Sequence, residues 1–362
     1  MIYKVIGLMS GSSLDGLDIV FTELQEIAGK WNYEINNSAC IEYDEGWQKK
    51  LRGAVDLNAC DYQLLHAEYG KFIGQKINEF IDSNNLQHKV NLIASHGHTT
   101  FHLPEKKMTH QLGDGSAIAA ETQLPVVSDL RAMDVAFGGQ GAPIVPMGEK
   151  LLLNDYNYFL NLGGIANLSI HSETTVIAFD VCAANRVLNM LAEEMGLAYD
   201  DGGKLSALGK VNTSMLEEIN LLEYFGKAYP KSLANSFGTD IIFPIIKSFE
   251  ISTEDALSTF TEHICIQIKN SLKPFKQNEI QKLFITGGGA FNTFLTGRLN
   301  QYLSEINFVI HIPEESVVKY KEALIMALLG ILRWREQFTI LSSVTGASRD
   351  SIGGALWLGT EA

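Results

Sequence analysis

Residues 3–24 read YKVIGLMSGSSLDGLDIVFTEL, and this stretch suggests the fold of the whole chain. The apolar run Tyr3–Met9 predicts a buried strand, Ser10–Gly16 a polar glycine turn, and Leu17–Leu24 a returning strand, so the three form a hairpin. A glycine turn after a buried strand presents consecutive backbone N–H groups, which bind phosphate oxygens without basic side chains. A Gly-Ser-rich hairpin by itself is more often a plain turn, so a recurrence of the pattern matters.

A second hairpin of the same kind follows later in the chain. Tyr158–Leu162 and Ile165–Ile170 are predicted strands on either side of Gly163-Gly164, and Thr175–Phe179 continues the pattern. Because one kind of hairpin occurs twice, we expect two related lobes, although the two segments are too dissimilar to prove a duplication.

Length and periodicity agree with two α/β lobes. At roughly 100 to 200 residues per domain, a chain of 362 residues predicts two domains. Apolar residues at helical spacing predict helices at Tyr62–Ile81, Ser116–Thr122, Asn185–Met195, Met215–Tyr224, Ala256–Leu272 and Val318–Arg335. We place the first lobe at residues 1–130, with 345–362 as candidates to complete it, and the second lobe at 131–344.

A third glycine segment follows the predicted strand Lys282–Thr286. It reads Gly287-Gly288-Gly289-Ala290, and a triple glycine allows a flat ligand to lie against the main chain. Two phosphate hairpins on two lobes plus a third glycine segment are how the actin and hexokinase superfold binds ATP. We therefore predict an α/β protein with a two-lobed actin-like ATPase (ribonuclease H-like) fold, each lobe a mixed sheet with flanking helices. The P-loop, the Rossmann fingerprint and the G-x-S-x-G elbow are absent from the sequence.

The composition of the chain limits the kinds of partner that the protein can bind. The formal net charge of −14 argues against nucleic-acid binding, which depends on clustered Lys and Arg, and no apolar run is long enough for a membrane span or a signal peptide. The cysteines are far apart, with no Cys-x-x-Cys pair, and are Cys40, Cys60, Cys182 and Cys265. This usage predicts neither a disulfide framework nor a thiolate zinc site and favours the reduced cytoplasm.

The glycine segments are the predicted ATP contacts. Ser hydroxyls in the first turn can donate to phosphate, and Asp15 or Asp18 can hold Mg²⁺ directly or through water. The predicted nucleotide-binding residues are Gly11, Ser12, Ser13, Leu14, Asp15, Gly16, Leu17, Asp18, Gly163, Gly164, Gly287, Gly288 and Gly289.

Several polar residues have both a structural and a functional interpretation. Asp180 follows a predicted strand and could be a general base or only a helix N-cap. His96, His98 and His102 form H-x-H-x-x-x-H, but no acidic or Cys fourth zinc ligand stands nearby. Glu322 lies at the start of a predicted apolar helix, where a carboxylate favours the helix dipole in any case.

A cluster of charge at Asp129, Arg131 and Asp134 is equally ambiguous. A surface ion-pair cluster is the default interpretation, and such clusters add little stability. A second interpretation, in which Arg131 pairs with a substrate carboxylate in a forked geometry, is what a family resemblance implies.

The motifs together resemble the 1,6-anhydro-N-acetylmuramic acid kinases. The matching segments run in order over nearly the whole chain and are Gly7–Asp18, Ser95–Thr99, Gly113–Gly115, Val126–Arg131 with Asp134, Gly138–Pro146, Asn161–Asn167, Gly287–Asn292 and Lys321–Ala323. The first segment and Gly-Gly-Gln-Gly-Ala-Pro are specific to the family. Two segments depart from its pattern: Asp180–Asn185 lacks the usual glycines and proline, and Leu233, Ala234 and Asn235 replace Thr-Gly-Arg after Lys231-Ser232.

The resemblance implies a cytoplasmic kinase that binds magnesium-ATP in a cleft between the lobes. It implies that Asp180 is the base that activates water, and that His96, Asp129, Arg131 and Glu322 contact the sugar. The product would be N-acetylmuramic acid 6-phosphate, formed in peptidoglycan recycling. A homodimer is a possible state of such an enzyme. Two alternatives stay open, a non-catalytic nucleotide sensor on the same superfold and a kinase of another amino sugar.

Overall fold

The structure is a computed structural model that describes residues 1–11, 14–172, 175–229, 231–234 and 236–359. Its contacts divide the chain into two compact units, one built from Met1–Asn154 with the described residues from Tyr320 onward, and one from Asp155–Lys319. Within the described residues, no helix combines the length and the apolar character that crossing a membrane requires.

Twelve strands and twelve α-helices are described. The strands are β1 (Ile2–Ser10), β2 (Gly16–Ile27), β3 (Lys30–Glu42), β4 (Leu92–Leu103), β5 (Met108–Leu112), β6 (Val126–Ser128), β7 (Tyr158–Leu162), β8 (Ile165–His171), β9 (Val176–Ala183), β10 (Gln281–Thr286), β11 (Phe308–His311) and β12 (Ala355–Trp357). The helices are α1 (Glu45–Gly53), α2 (Ala59–Ser83), α3 (Gly115–Thr122), α4 (Ala132–Ala136), α5 (Val145–Leu152), α6 (Asn185–Glu193), α7 (Thr213–Asn220), α8 (Phe243–Ser248), α9 (Thr253–Leu272), α10 (Thr293–Ser304), α11 (Glu315–Trp334) and α12 (Ser342–Thr345). A π-helix, Phe237–Ile242, precedes α8.

The first unit is built on a mixed sheet. Its strand order is β12-β6-β4-β1-β2-β3, and β5 pairs with β4. β1, β2 and β3 are antiparallel neighbours, whereas β4 is parallel to β1 and β6 is parallel to β4. The central strands are apolar on both faces, since Val5, Ile6 and Leu8 are all fully buried.

The second unit repeats this arrangement. Its order is β11-β10-β7-β8-β9, in which β7, β8 and β9 are antiparallel neighbours, β10 is parallel to β7 and β11 is parallel to β10. Each unit thus contains an antiparallel three-stranded meander whose first strand is extended by two parallel strands, and the first unit adds β5 and β12 to this arrangement. The predicted two-lobed α/β fold with a mixed sheet and flanking helices in each lobe is confirmed, as are the two glycine hairpins.

The unit boundaries differ from the predicted boundaries near residues 130 and 344. Helix α11 packs on the first sheet from Tyr320 onward, because a Cβ on Gly7 of β1 would lie 2.0 Å from the carbonyl oxygen of Ala323. Residues 131–154 also belong to the first unit, since Arg131 bonds Thr99 of β4. Pattern alone could not show this, since the helix crosses the boundary at Tyr320 within one apolar run, with a local break at φ −118° and ψ 16°.

Candidate active site

A cavity of about 380 Å³ lies in the first unit. Its lining is half apolar and half polar, and consists of Met9, Ser10, His96, Thr99, His102, Arg131, Ala142, Pro143, Ile144, Val145, Glu322 and Met326. Three of the four predicted sugar contacts, His96, Arg131 and Glu322, therefore line one cavity. The segment Ala142–Val145 also lines it, and the sequence had matched this segment to a family motif without giving it a role.

Arg131 is a buried cation at this cavity. Its Nε donates to the carbonyl oxygen of Gly141 at 2.6 Å and Nη1 donates to Oγ1 of Thr99 at 3.1 Å. Burial lowers its pKa to about 10 while the charge of Asp134 opposes the shift, so the guanidinium stays protonated at neutral pH. Two bonds fix the side chain and leave further N–H groups at the cavity.

The interpretation of this segment as a surface ion-pair cluster is wrong for Arg131 and Asp134. Both residues are buried, with exposed fractions of 9% and 0%. The Asp134 carboxylate accepts from the Gly141 N–H and from Oγ1 of Thr345, each at 2.7 Å. Asp134 therefore shapes the loop whose Gly141 carbonyl holds Arg131.

His96 is a neutral acceptor in this cavity. Its Nδ1 lies 2.8 Å from the carbonyl oxygen of Gly97, which can only accept, so Nδ1 carries the proton. Burial, together with the charge of Arg131, lowers the pKa of His96 to about 4. The unprotonated Nε2 is then available to accept a hydrogen bond from a ligand hydroxyl or amide.

The other two histidines of the motif have different partners. Nδ1 of His98 lies 3.2 Å from Oγ of Ser10, which in turn accepts from the Tyr43 hydroxyl. His102 is exposed but lines the cavity, with Nδ1 3.4 Å from Nη2 of Arg131. In the part of the chain that the structure describes, no three His, Cys, Asp or Glu side chains cluster as metal ligands.

Glu322 lines the cavity as predicted, whereas Asp129 does not. Glu322 lies in α11 two residues after the local break at Tyr320, so it is close to the start of a helical segment and the helix-dipole interpretation stays a prediction. Burial raises the pKa of Glu322, while the charge of Lys321 lowers it. Asp129 does not line the cavity; it has a left-handed backbone with φ 56°, and its Oδ2 accepts from Oγ of Ser128 at 2.6 Å.

The first glycine hairpin is described in part, since Ser12 and Ser13 fall outside the described residues. Leu14 has a left-handed backbone with φ 62°, which is uncommon for a leucine and is typical of a constrained site. The side chains of Leu14 and Leu17 are buried, so a ligand could meet only their backbone. A Cβ on Gly16 would lie 2.7 Å from Sγ of Cys40, so glycine is required there for packing.

Asp18 and Asp15 provide the carboxylates of this hairpin. Burial raises the pKa of Asp18 to about 6, the Cys40 thiol lowers it by hydrogen bonding, and the charges of Glu322 and Asp15 raise it further. Asp15 and Glu322 thus add negative charge near Asp18, and a bound cation would offset that charge.

Asp180 lies within β9 of the second unit rather than after the strand. Its Oδ2 accepts from the Leu233 N–H at 2.8 Å. Burial raises its pKa, and the Leu233 N–H opposes the shift, which suits a general base. The N-cap interpretation is wrong for Asp180, because the N-cap position of α6 is Ala184.

The turn Gly163-Gly164 caps helix α6. The Gly164 carbonyl accepts from the Ala184 N–H at 2.8 Å, and the Gly163 carbonyl accepts from the Asn185 N–H at 3.0 Å. A Cβ on Gly164 would meet only Cβ of Arg186, at an ordinary 3.7 Å, so the fold itself does not require glycine at this exposed position.

In the third glycine segment, a side chain would clash with the fold at two of the three positions. A Cβ on Gly287 would lie 2.6 Å from Oδ1 of Asn161, and a Cβ on Gly289 would lie 2.7 Å from Cβ of Leu162. These two glycines are therefore needed for packing. Gly288 is exposed, and its nearest neighbour would be Nδ2 of Asn185 at 3.6 Å. Gly288 and Gly164 are therefore the glycines that a ligand, rather than the fold, would explain.

Sequence comparison places the chain among proteins with one activity. A family model described as anhydro-N-acetylmuramic acid kinase matches residues 3–359. Curated proteins named anhydro-N-acetylmuramic acid kinase are 31% identical in Aliivibrio fischeri (98% of this chain and 99% of the relative), 31% in Francisella tularensis (97% and 97%) and 31% in Clostridioides difficile (96% and 97%). A solved structure, the activator of 2-hydroxyisocaproyl-CoA dehydratase from Clostridium difficile, is 14% identical with a TM-score of 0.44 over 92% of this chain and 96% of that one.

Proposed function

The chain belongs to the anhydro-N-acetylmuramic acid kinase family, and we propose that it opens 1,6-anhydro-N-acetylmuramic acid with water and phosphorylates O6 from ATP. The product is N-acetylmuramic acid 6-phosphate, and the role is peptidoglycan recycling. Because ATP is the phosphoryl donor, a cytoplasmic location belongs to the same proposal.

The observation that carries this proposal is the buried Arg131 guanidinium at a cavity that His96 and Glu322 also line. A fixed, desolvated guanidinium suits the planar carboxylate of the lactyl group, which it can bind through two N–H groups. Nε2 of His96 can accept from a sugar hydroxyl or the acetamido N–H, and Glu322 can accept from another hydroxyl.

Asp180 performs the proton transfer in this proposal. Its carboxylate takes a proton from water, the water oxygen bonds to the anomeric carbon, and the bond from that carbon to O6 breaks. O6 then attacks the γ-phosphorus of ATP, and ADP leaves as the β–γ bridging bond breaks. The raised pKa of Asp180 supports the assignment, because a base is most effective when its pKa approaches the working pH.

The hairpins and the glycine segment bind ATP through backbone groups. We propose the contacts predicted above, with Gly164 and Gly288 as the positions where the nucleotide approaches the main chain most closely. Asp15 and Asp18 would hold Mg²⁺, since one or two carboxylates together with phosphates suit this ion. When bound, Mg²⁺ offsets the negative charge of the phosphates.

Product mass tests the proposal. The protein is incubated with the anhydro-sugar, magnesium-ATP and ¹⁸O-labelled water. We expect a sugar monophosphate that carries one ¹⁸O at C1 and an unlabelled phosphate. 1,6-Anhydro-N-acetylglucosamine, which lacks the lactyl group, is the matched control and should react much more slowly.

Two results would contradict the proposal. Binding of an ATP analogue without conversion of any amino sugar would favour the nucleotide sensor. Faster conversion of the sugar that lacks the lactyl group would favour a kinase of another amino sugar.

A further inference from the structure

Asp180 lies on an edge strand, and its backbone faces away from the sheet. Strand β9 is last in the order β11-β10-β7-β8-β9, and Asp180 is paired with Asn167 of β8. The Asp180 N–H donates instead to the Lys231 carbonyl oxygen at 3.1 Å. The register shifts beside this pair, so Val181 is the extra residue of a bulge, a feature that redirects neighbouring side chains.

A segment distant in sequence holds the backbone and the side chain of Asp180 together. The Tyr224 hydroxyl donates to the Asp180 carbonyl oxygen at 2.7 Å, and the Leu233 N–H donates to Oδ2 at 2.8 Å. With the Lys231 contact, three groups hold one residue by its N–H, its carbonyl and its carboxylate. We call Tyr224, Lys231 and Leu233 the clasp.

Tyr224 is the packed centre of the clasp. It is 8% exposed, and its ring centroid lies 5.4 Å from that of Phe237 and 5.7 Å from that of Phe225. The Lys231 ammonium lies 4.6 Å from the centre of the same ring, a cation–π contact. The Tyr224 ring therefore contacts the same segment whose Lys231 carbonyl and Leu233 N–H form hydrogen bonds with Asp180.

We propose that Tyr224 is a positioning residue that orients the Asp180 carboxylate through the clasp, an inference that rests on the proposed function. The clasp occupies Oδ2, and within the described residues no hydrogen bond to Oδ1 is formed, so Oδ1 is the oxygen that takes the proton from water. Orientation at this level affects rate, because a misplacement of about 1 Å at a reacting group can cost about 10² in rate.

The direct test is Tyr224→Phe, which removes the hydroxyl and keeps the ring, its packing and the cation–π contact. We expect kcat to fall about tenfold, with KM for sugar and nucleotide changed less than about twofold. Hydrogen exchange at the Asp180 and Leu233 amides should be about tenfold faster, because these bonds open more often without the hydroxyl. The melting temperature reports whether the variant is folded.

A matched control lies in the same segment. Tyr229 is exposed and stacks on Phe179 with a centroid distance of 5.5 Å, and within the described residues its hydroxyl forms no hydrogen bond, so Tyr229→Phe should leave both readouts unchanged. A second variant, Lys231→Met, removes the ammonium above the ring and keeps the backbone carbonyl. It should lower kcat by about threefold with the same unchanged KM values.

Amide hydrogen exchange and kcat together distinguish a failure of the positioning role from a failure of the proposed function. A Tyr224→Phe protein with a kcat within about twofold of wild type, or with unchanged exchange at both amides, overturns the positioning role. If the wild-type protein does not convert the anhydro-sugar, the proposed function fails instead. The exchange comparison then still decides whether Tyr224 holds the Asp180 segment.

Discussion

The ammonium of Lys321 lies 2.9 Å from Oε1 of Glu149, and the two side chains are only 6% and 3% exposed. This ion pair joins α11 to α5 immediately before Glu322, which lines the cavity. The two helices approach closely here, since a Cβ on Gly148 would lie 2.4 Å from Cγ1 of Ile325. The pair therefore fixes the part of α11 that presents Glu322.

Loss of the lysine should destabilise the protein strongly. Lys321→Met removes the cation that offsets burial of the Glu149 carboxylate, and breaking a buried pair in this way costs about 3 kcal/mol or more in the free energy of unfolding. The double variant Lys321→Met/Glu149→Leu should recover most of that loss, because neither charge of the pair is left. Denaturant unfolding of the wild type, Lys321→Met, Glu149→Leu and the double variant measures these free energies of unfolding. A double variant less stable than Lys321→Met would contradict the prediction.

Arg131 should determine the affinity for the lactyl carboxylate. Arg131→Lys keeps a charge but loses the fork, so we expect KM for the anhydromuramic sugar to rise about 10- to 100-fold. The sugar without the lactyl group should show a similar KM with both proteins. Steady-state kinetics of two proteins with two sugars separate this effect from general damage; an equal loss with both sugars would show that Arg131 does not contact the carboxylate.

The third glycine segment offers a test that separates ligand binding from packing. Gly288→Ala should leave stability within about 0.5 kcal/mol but weaken nucleotide affinity about tenfold, because in the protein the new methyl group would make only an ordinary contact, 3.6 Å from Nδ2 of Asn185. Gly289→Ala should destabilise the fold, since its Cβ would lie 2.7 Å from Leu162. Gly297→Ala, in α10 with nothing nearby, is the control and should stabilise the protein by about 0.5–1 kcal/mol. Unchanged nucleotide affinity in Gly288→Ala would exclude close approach of the nucleotide there.

His263 should make the second unit sensitive to acid. It is fully buried in α9, and burial lowers its pKa from 6.5 to about 3. Between these values the unfolded chain binds a proton that the folded protein does not, so stability falls as pH falls from about 6.5 towards 3, by about 1.4 kcal/mol per pH unit for this group. His263→Gln, which retains a donor for Asn220, should reduce the slope of unfolding free energy against pH by that amount. An unchanged slope would show that His263 titrates normally.

The fold was predicted from local sequence patterns, and these patterns were reliable where neighbouring residues alone determine an element. Buried runs followed by glycine turns gave β1, β2, β7 and β8 within a few residues. Strand β3 was missed, because Lys30–Glu42 is an edge strand of exposed and partly buried residues, several of them polar, rather than a buried apolar run. The unit boundary was misplaced because α11 is one continuous apolar pattern.

The candidate site was predictable only in part, because the residues that hold its side chains in place are distant from them in sequence. His96, Arg131 and Glu322 were found through family motifs, and the structure places them at one cavity. No local pattern marks Tyr224, whose hydroxyl bonds a carbonyl 44 residues away in sequence. Asp129 was assigned to the sugar through the family resemblance of its segment, but it lies outside the cavity lining, with a left-handed backbone and a hydrogen bond from Ser128.

The kinetic comparison of Asp180→Asn with wild type tests the central claim most directly. Asparagine keeps the shape and an oxygen acceptor for the Leu233 N–H, but it cannot take a proton from water. We predict that kcat falls by about 10² to 10⁴ while nucleotide affinity and melting temperature stay close to wild type. A kcat within about threefold of wild type would contradict the assignment of Asp180 as the base and would make Glu322 the next candidate.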